Sequence, residues 1–174
     1  QAGRQCMVVY PLVEETEKSD LADATEGFEA LQNIFKGIKI GLIHGRMKKE
    51  EKDAIMNAYA KNEIKILVST TVIEVGIDIP NASVMLIEHA ERFGLTQLHQ
   101  LRGRVGRGSS KSYCILVERN IRDTSRKRLA IMEKTNNGFI IADEDLKMRG
   151  PGKFFSTEQS GFFKHIIADM VTDG

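Results

Sequence analysis

The sequence predicts an α/β fold: a parallel sheet with helices on both faces, extended at its C-terminal end by a helical hairpin. Three observations predict it. Five short apolar runs rich in β-formers recur before Glu118, segments of helical period separate them, and after Glu118 only helical stretches follow. Short apolar strands alternating with helices imply parallel pairing in a sheet covered on both sides.

Residues 6–12 (CMVVYPL) form the first run, closed by Pro11. Phe28, Leu31, Ile34 and Phe35 recur at helical spacing. Residues 38–43 are the second run, broken by Gly45. Residues 48–61 read as a helix with Ile55, Ala58 and Tyr59 inside and charges outside. Residues 64–69 and 83–88 are the third and fourth strands, residues 95–105 a helix, and residues 112–117 the fifth strand. A basic helix over 122–134, a turn at Asn136-Asn137-Gly138 and a second helix over 139–148 make the hairpin. The run Arg149-Gly150-Pro151-Gly152 must then break regular structure. The expected division is a sheet domain over 1–118 and an extension over 119–174.

The 174 residues suffice for one domain with a core, and the first of them, Gln1, suggests a piece of a longer protein. Hydrophobic residues at 41% and charged residues at 28% are ordinary for a globular protein in water. No apolar run approaches the roughly 18 residues of a membrane span, and residues 1–7 carry no signal-peptide core. The expected compartment is the cytoplasm and the expected state a monomer. Cys6 and Cys114 are isolated within apolar runs, so they read as core thiols rather than a disulfide or zinc set. His89, His99 and His165 show no paired spacing that would suggest a metal site.

Charge is uneven although its net is only +1. Arg102, Arg104, Arg107, Lys111, Arg119, Arg122, Arg126, Lys127 and Arg128 are opposed only by Glu118 and Asp123. Such a stretch suits a polyanion or a solvated basic face equally well.

Ligands of parallel α/β sheets bind at loops beyond the carboxyl ends of strands. His44-Gly45-Arg46 follows the second strand and Thr70-Thr71 the third. The strongest chemical signal is QLHQLRGRVGRG over residues 97–108. Projected on a continuous helix, Gln100, Arg104 and Arg107 share one face, and Leu98, Leu101 and Val105 another. Two aligned guanidiniums suit the charge on a transferring phosphoryl group. Gly103 and Gly106 each cost about 1 kcal/mol inside a helix, which implies a close approach to the backbone there. A dinucleotide loop does not fit, because the G-x-G-x-x-G order is absent and a helix precedes the glycines.

Residues 97–108 resemble motif VI of superfamily 2 helicases. VSTTVIEVGIDIPNA over 68–82 resembles their motif V, and HGRM over 44–47 their motif IVa. With ERFGL ahead of it, motif VI is similar to that of the RecG family and of the related transcription-repair coupling translocases. His99, Gly108 and Pro151 favour the RecG family. The extension resembles the TRG motif of both groups, with Arg128, Arg149-Gly150-Pro151-Gly152 and Gln159-Ser160-Gly161 as landmarks. Ser156 and Glu158 depart from it where glycine and arginine are usual in the RecG family.

The resemblance implies a RecA-like three-layer domain, the second motor domain of an ATP-driven double-stranded-DNA translocase. Branched DNA, such as stalled forks and Holliday junctions, is the implied substrate. Arg104, Arg107 and Gln100 are the implied catalytic residues. The resemblance also assigns Glu74, Gly76 and Asp78 to coupling between the ATP and DNA sites. His44, Gly45, Thr70, Thr71, Arg128, Arg149 and Gln159 are the residues it implies for DNA contact or coupling. Ser69, Thr70 and Thr71 follow a strand, where hydroxyls and free backbone N–H groups hold a phosphate.

No G-x-x-x-x-G-K-[ST] occurs, so ATP and Mg²⁺ are expected on a preceding RecA-like domain of the parent chain, and neither on this chain alone. FIIADEDL over 139–146 imitates a Walker B strand but lies after motif VI, where a hairpin helix is expected. Two alternatives remain: the equivalent domain of a transcription-repair coupling translocase, and a non-enzymatic nucleic-acid-binding module.

Overall fold

The computed structural model describes residues 3–12, 17–70, 81–106, 111–120 and 122–149. Five strands form one sheet: β1 (Gln5–Tyr10), β2 (Ile40–Ile43), β3 (Ile66–Thr70), β4 (Ala82–Ile87) and β5 (Tyr113–Leu116). Their order is β2-β3-β1-β4-β5, and every pairing is parallel. Five helices accompany them: α1 (Glu17–Ile34), α2 (Lys49–Ala60), α3 (Leu95–Arg102), α4 (Asp123–Lys134) and α5 (Gly138–Arg149).

Alternation along the strands sends successive side chains to opposite faces. Met7, Val9, Leu67, Met85 and Ile87 meet Met56, Tyr59, Leu95 and Leu98 on one face. Val8, Tyr10 and Val68 meet Ala24, Phe28 and Leu31 of α1 on the other. Leu67, Met85, Leu95 and Leu98 are fully buried, each worth about 1.5–3 kcal/mol of transfer free energy. The α1 helix comes close to the sheet at Gly27, where any β-carbon would overlap the Tyr10 hydroxyl.

Polar side chains fix the helix ends. Gln5, only 1% exposed, donates from Nε2 to the carbonyls of Tyr59 and Ile64, closing the end of α2. The Gln97 carboxamide oxygen accepts from Gly94 N at 2.9 Å and caps α3. Asn137 Oδ1 accepts from Phe139 N at 2.9 Å and starts α5. Residues 139–146 therefore lie in a helix, as their position after motif VI implies.

The hairpin is not held at arm's length. Met132 of α4 and Ile141 of α5 are buried in the same core as Met7 and Leu98. The α5 helix packs chiefly on α3 rather than on α4.

Candidate functional site

Parallel strands place the ends of β2 and β3 side by side, with Ile43 in register with Ser69. His44 follows β2 and Thr70 ends β3, so the sheet brings these two expected residues together at its carboxyl edge. The hydroxyls of Ser69 and Thr70 and Nδ1 of His44 are buried, with no hydrogen-bond partner among the described residues. A buried polar atom left unmatched costs about 1–3 kcal/mol. Ser69 and Thr70, adjacent on β3, turn to opposite faces of the sheet, and Thr70 is the one beside the loop that carries His44.

The surroundings of that edge are cationic. Arg46 and Lys48 follow on the loop, and Lys52 of α2 donates from Nζ to the Gly45 carbonyl at 3.0 Å. The same loop leads into the N-terminus of α2, where Glu51 accepts from Lys48 N at 3.1 Å and Glu50 adds a second carboxylate to the first turn. Burial, then the charges of Lys52 and Arg46, push the His44 imidazole below its usual pKa. It is therefore neutral at pH 7 and acts there as a hydrogen-bonding group rather than a charge. Gly45 is exposed and open to close approach.

The motif VI residues lie elsewhere. The α3 helix stops at Arg102, so the continuous helix expected over 95–105 is corrected. Tighter bonds follow, from Arg104 N to the Leu101 carbonyl and from Val105 N to the Arg102 carbonyl. Gly106 then takes φ of 81°. Gln100 is exposed on the helix while Arg104 is half-buried in the turn beyond it, so the two do not share a helical face. Gly106 N reaches the carbonyl of Ala82, the first residue of β4. Arg104 therefore sits toward the amino edge of the sheet, opposite the edge that carries His44 and Thr70.

The glycines also have a local explanation. Gly106 needs its left-handed backbone, and a β-carbon there would overlap the Ser112 side chain. Gly103 has ordinary right-handed geometry and needs no such freedom.

Arg128 is half-buried and donates to the carbonyls of Phe93 at 3.2 Å and Glu91 at 3.4 Å, tying α4 to the turn before α3. Other members of the basic stretch have partners at the surface. Arg119 forks onto Glu88 at 3.0 and 3.1 Å, and Lys111 lies 5.4 Å from the Tyr113 ring centroid. Arg122, Arg126 and Lys127 remain exposed along α4. Thr71, Glu74, Gly76, Asp78, Arg107 and Gln159 lie outside the described residues, as does the side chain of Arg149.

Composition and spacing did not reveal a stripe on α3. Thr96, His99 and Arg102 stand at i, i+3 and i+6 and face the hairpin. Thr96 Oγ1 donates to Asp145 Oδ2 at 3.2 Å. Arg102 donates to the carbonyls of Met132 at 2.8 Å and Thr135 at 2.9 Å, and to His99 Nδ1 at 3.1 Å. Polar residues aimed at distant carbonyls leave no hydrophobic period, so nothing in the sequence marks the stripe.

Residues 1–109 match the helicase conserved C-terminal domain family, and residues 135–174 match domain 3, C-terminal part, of the ATP-dependent DNA helicase RecG. The ATP-dependent DNA helicase RecG of Synechocystis sp. is 52% identical over 98% of this chain and 21% of its own length. That of Bacillus subtilis is 48% identical over 98% of the chain and 25% of its own length. This chain thus spans about a quarter or less of those relatives. The structure of RecG bound to a three-way DNA junction superimposes with a TM-score of 0.71 at 50% identity, over 87% of this chain and 20% of that one.

Proposed function

The chain belongs to the helicase conserved C-terminal domain family, and on that premise we propose that it is the second motor domain of an ATP-dependent helicase acting on branched double-stranded DNA. The observation that carries the DNA part is the carboxyl edge, where His44 and Thr70 lie side by side, each with a polar atom unmatched, next to Arg46, Lys48 and Lys52. Neutral donors framed by lysine and arginine suit a phosphodiester backbone, which is read by position rather than sequence. The RecG structure solved on a three-way junction supports branched DNA as the substrate class.

ATP would bind between this domain and a preceding one that carries the P-loop. The donors offered here, Arg104, Arg107 and Gln100, suit phosphate oxygens. No cluster of three or more His, Cys, Asp or Glu that fits a metal ion occurs among the described residues. Mg²⁺ would be held with the nucleotide phosphates by the P-loop of the preceding domain. Arg104 and Arg107 would meet charge developing on the γ-phosphate, and Gln100 would reach the nucleotide from α3 rather than from the arginines' turn. Thr70, Thr71, His44 and Gly45 would hold the DNA backbone. Glu74, Gly76 and Asp78, on the segment leaving β3, would pass the nucleotide state to that contact. The extension over 119–174, with Arg128, Arg149 and Gln159, would carry the motion to the duplex. The enzyme would work as a cytoplasmic monomer.

The test is to assay ATP hydrolysis and fork unwinding by the purified chain and by the parent enzyme. The parent should do both and the chain alone neither. DNA-stimulated hydrolysis by the chain alone would overturn the two-domain reading. A parent that binds forks but lacks ATP turnover would favour a binding module.

A further inference from the structure

The last strand of the sheet and α4 do not close on each other. Between them lies a cavity of about 440 Å³, within the range of sites that take small organic molecules. Among the described residues, Cys114 and Leu116 of β5 and Leu129 and Met132 of α4 make its apolar wall. Arg102, Arg126, Glu118 and Glu133 surround that wall with charge. These four groups are not equivalent. Glu118 accepts from the Ser125 hydroxyl at 2.7 Å, which holds it at the start of α4. Glu133 and Arg126 are exposed, where water and salt screen them. Arg102 is half-buried, so its charge acts at longer range inside the cavity. Burial pushes the Cys114 thiol up to about 11, and the nearby Arg102 guanidinium pulls the other way. A guanidinium carries five N–H donors. Arg102 spends three, on the carbonyls of Met132 and Thr135 and on His99 Nδ1. Its Nε and the second N–H of one terminal nitrogen have no partner among the described residues.

We infer that the cavity between β5 and α4 is a binding site for a small amphipathic anion, a compact apolar body that carries a single carboxylate. The carboxylate takes the unspent N–H donors of Arg102, with Arg126 at the mouth, and the apolar body lies against Leu116, Leu129 and Met132. A neutral analogue keeps the apolar contact and loses the charge-assisted bonds. A cationic analogue meets Arg102 as a like charge. Glu118 and Glu133 disfavour a second negative charge, so a nucleotide or a DNA strand does not match this chemistry. The cavity is also remote from the loop that carries His44, because β5 and β2 are opposite edges of the sheet. The inference therefore stands independently of the motor reading.

The experiment titrates the parent enzyme against three probes that share one apolar body: 4-(4-fluorophenyl)butyrate and the corresponding alcohol and amine. Binding is read from the fluorine resonance of each probe. The carboxylate should bind about tenfold more tightly than the alcohol, the scale of one hydrogen bond to a charged group, and the amine most weakly. Ala130 lies on the cavity wall, so Ala130→Trp fills the space and should remove the tighter binding. Where Ala130→Trp fails to fold, as circular dichroism shows, Arg126→Glu carries the test from an exposed position. It should weaken the carboxylate by about fivefold and leave the alcohol unchanged. Equal affinities for the three probes, no saturable binding of the carboxylate, or wild-type affinity in either folded variant overturns the inference.

Discussion

Gly106 and Ser112 approach so closely that no side chain fits between them: a β-carbon on Gly106 would overlap the Ser112 hydroxyl. Gly106 also has φ of 81°, a region where an L-residue loses about 1–2 kcal/mol. Gly106→Ala should therefore lower stability by at least that amount. Because Arg107 is the next residue, the variant should also lower ATP turnover in the parent enzyme. Thermal melting and a turnover assay on one preparation check both. A melting temperature equal to wild type would contradict this account of the turn.

Asp20 and Arg92 make the second prediction. The Asp20 carboxylate is fully buried, and Arg92 approaches it with both terminal nitrogens, at 2.5 and 3.1 Å. The pair ties α1 to the 3-10 turn Ala90–Arg92 ahead of α3. Removing one charge leaves the other uncompensated, so Asp20→Asn should cost about 3 kcal/mol. Urea unfolding should show an earlier midpoint at unchanged slope.

Two thiols supply a third. Burial pushes Cys6 and Cys114 up to about 11. Thiolate is the reactive form, so both should resist alkylation at pH 8 in the folded chain. Labelling across a urea series should rise only with unfolding. Rapid labelling of either thiol in the native chain would contradict its placement.

The sheet was legible because each strand announced itself as an isolated apolar run between turn residues. The start of α1 was less so. Phe28 and Leu31 mark its inner face, but between Glu17 and Ala24 the helix is tied down by the Asp20 ion pair rather than by an apolar stripe. The end of α3 misled for a physical reason. Leu98, Leu101 and Val105 keep helical spacing through a segment whose backbone has already turned at Gly103. Val105 still packs against the core from the turn, so the pattern survives where the helix does not. At the site, His44 and Thr70 were found from loop position and resemblance, and the parallel register explains why they are neighbours. The Thr96, His99 and Arg102 stripe stayed hidden because its partners, the Met132 and Thr135 carbonyls and Asp145, lie 30 or more residues away.

The central claim is that this chain supplies arginine to a nucleotide held by another domain. Its most direct test is ATP turnover by the parent enzyme at saturating branched DNA, with Arg107→Ala set against wild type. The account predicts a loss on the order of 10³-fold with nucleotide affinity nearly unchanged. Turnover equal to wild type would contradict it and return Arg107 to a solvated surface role.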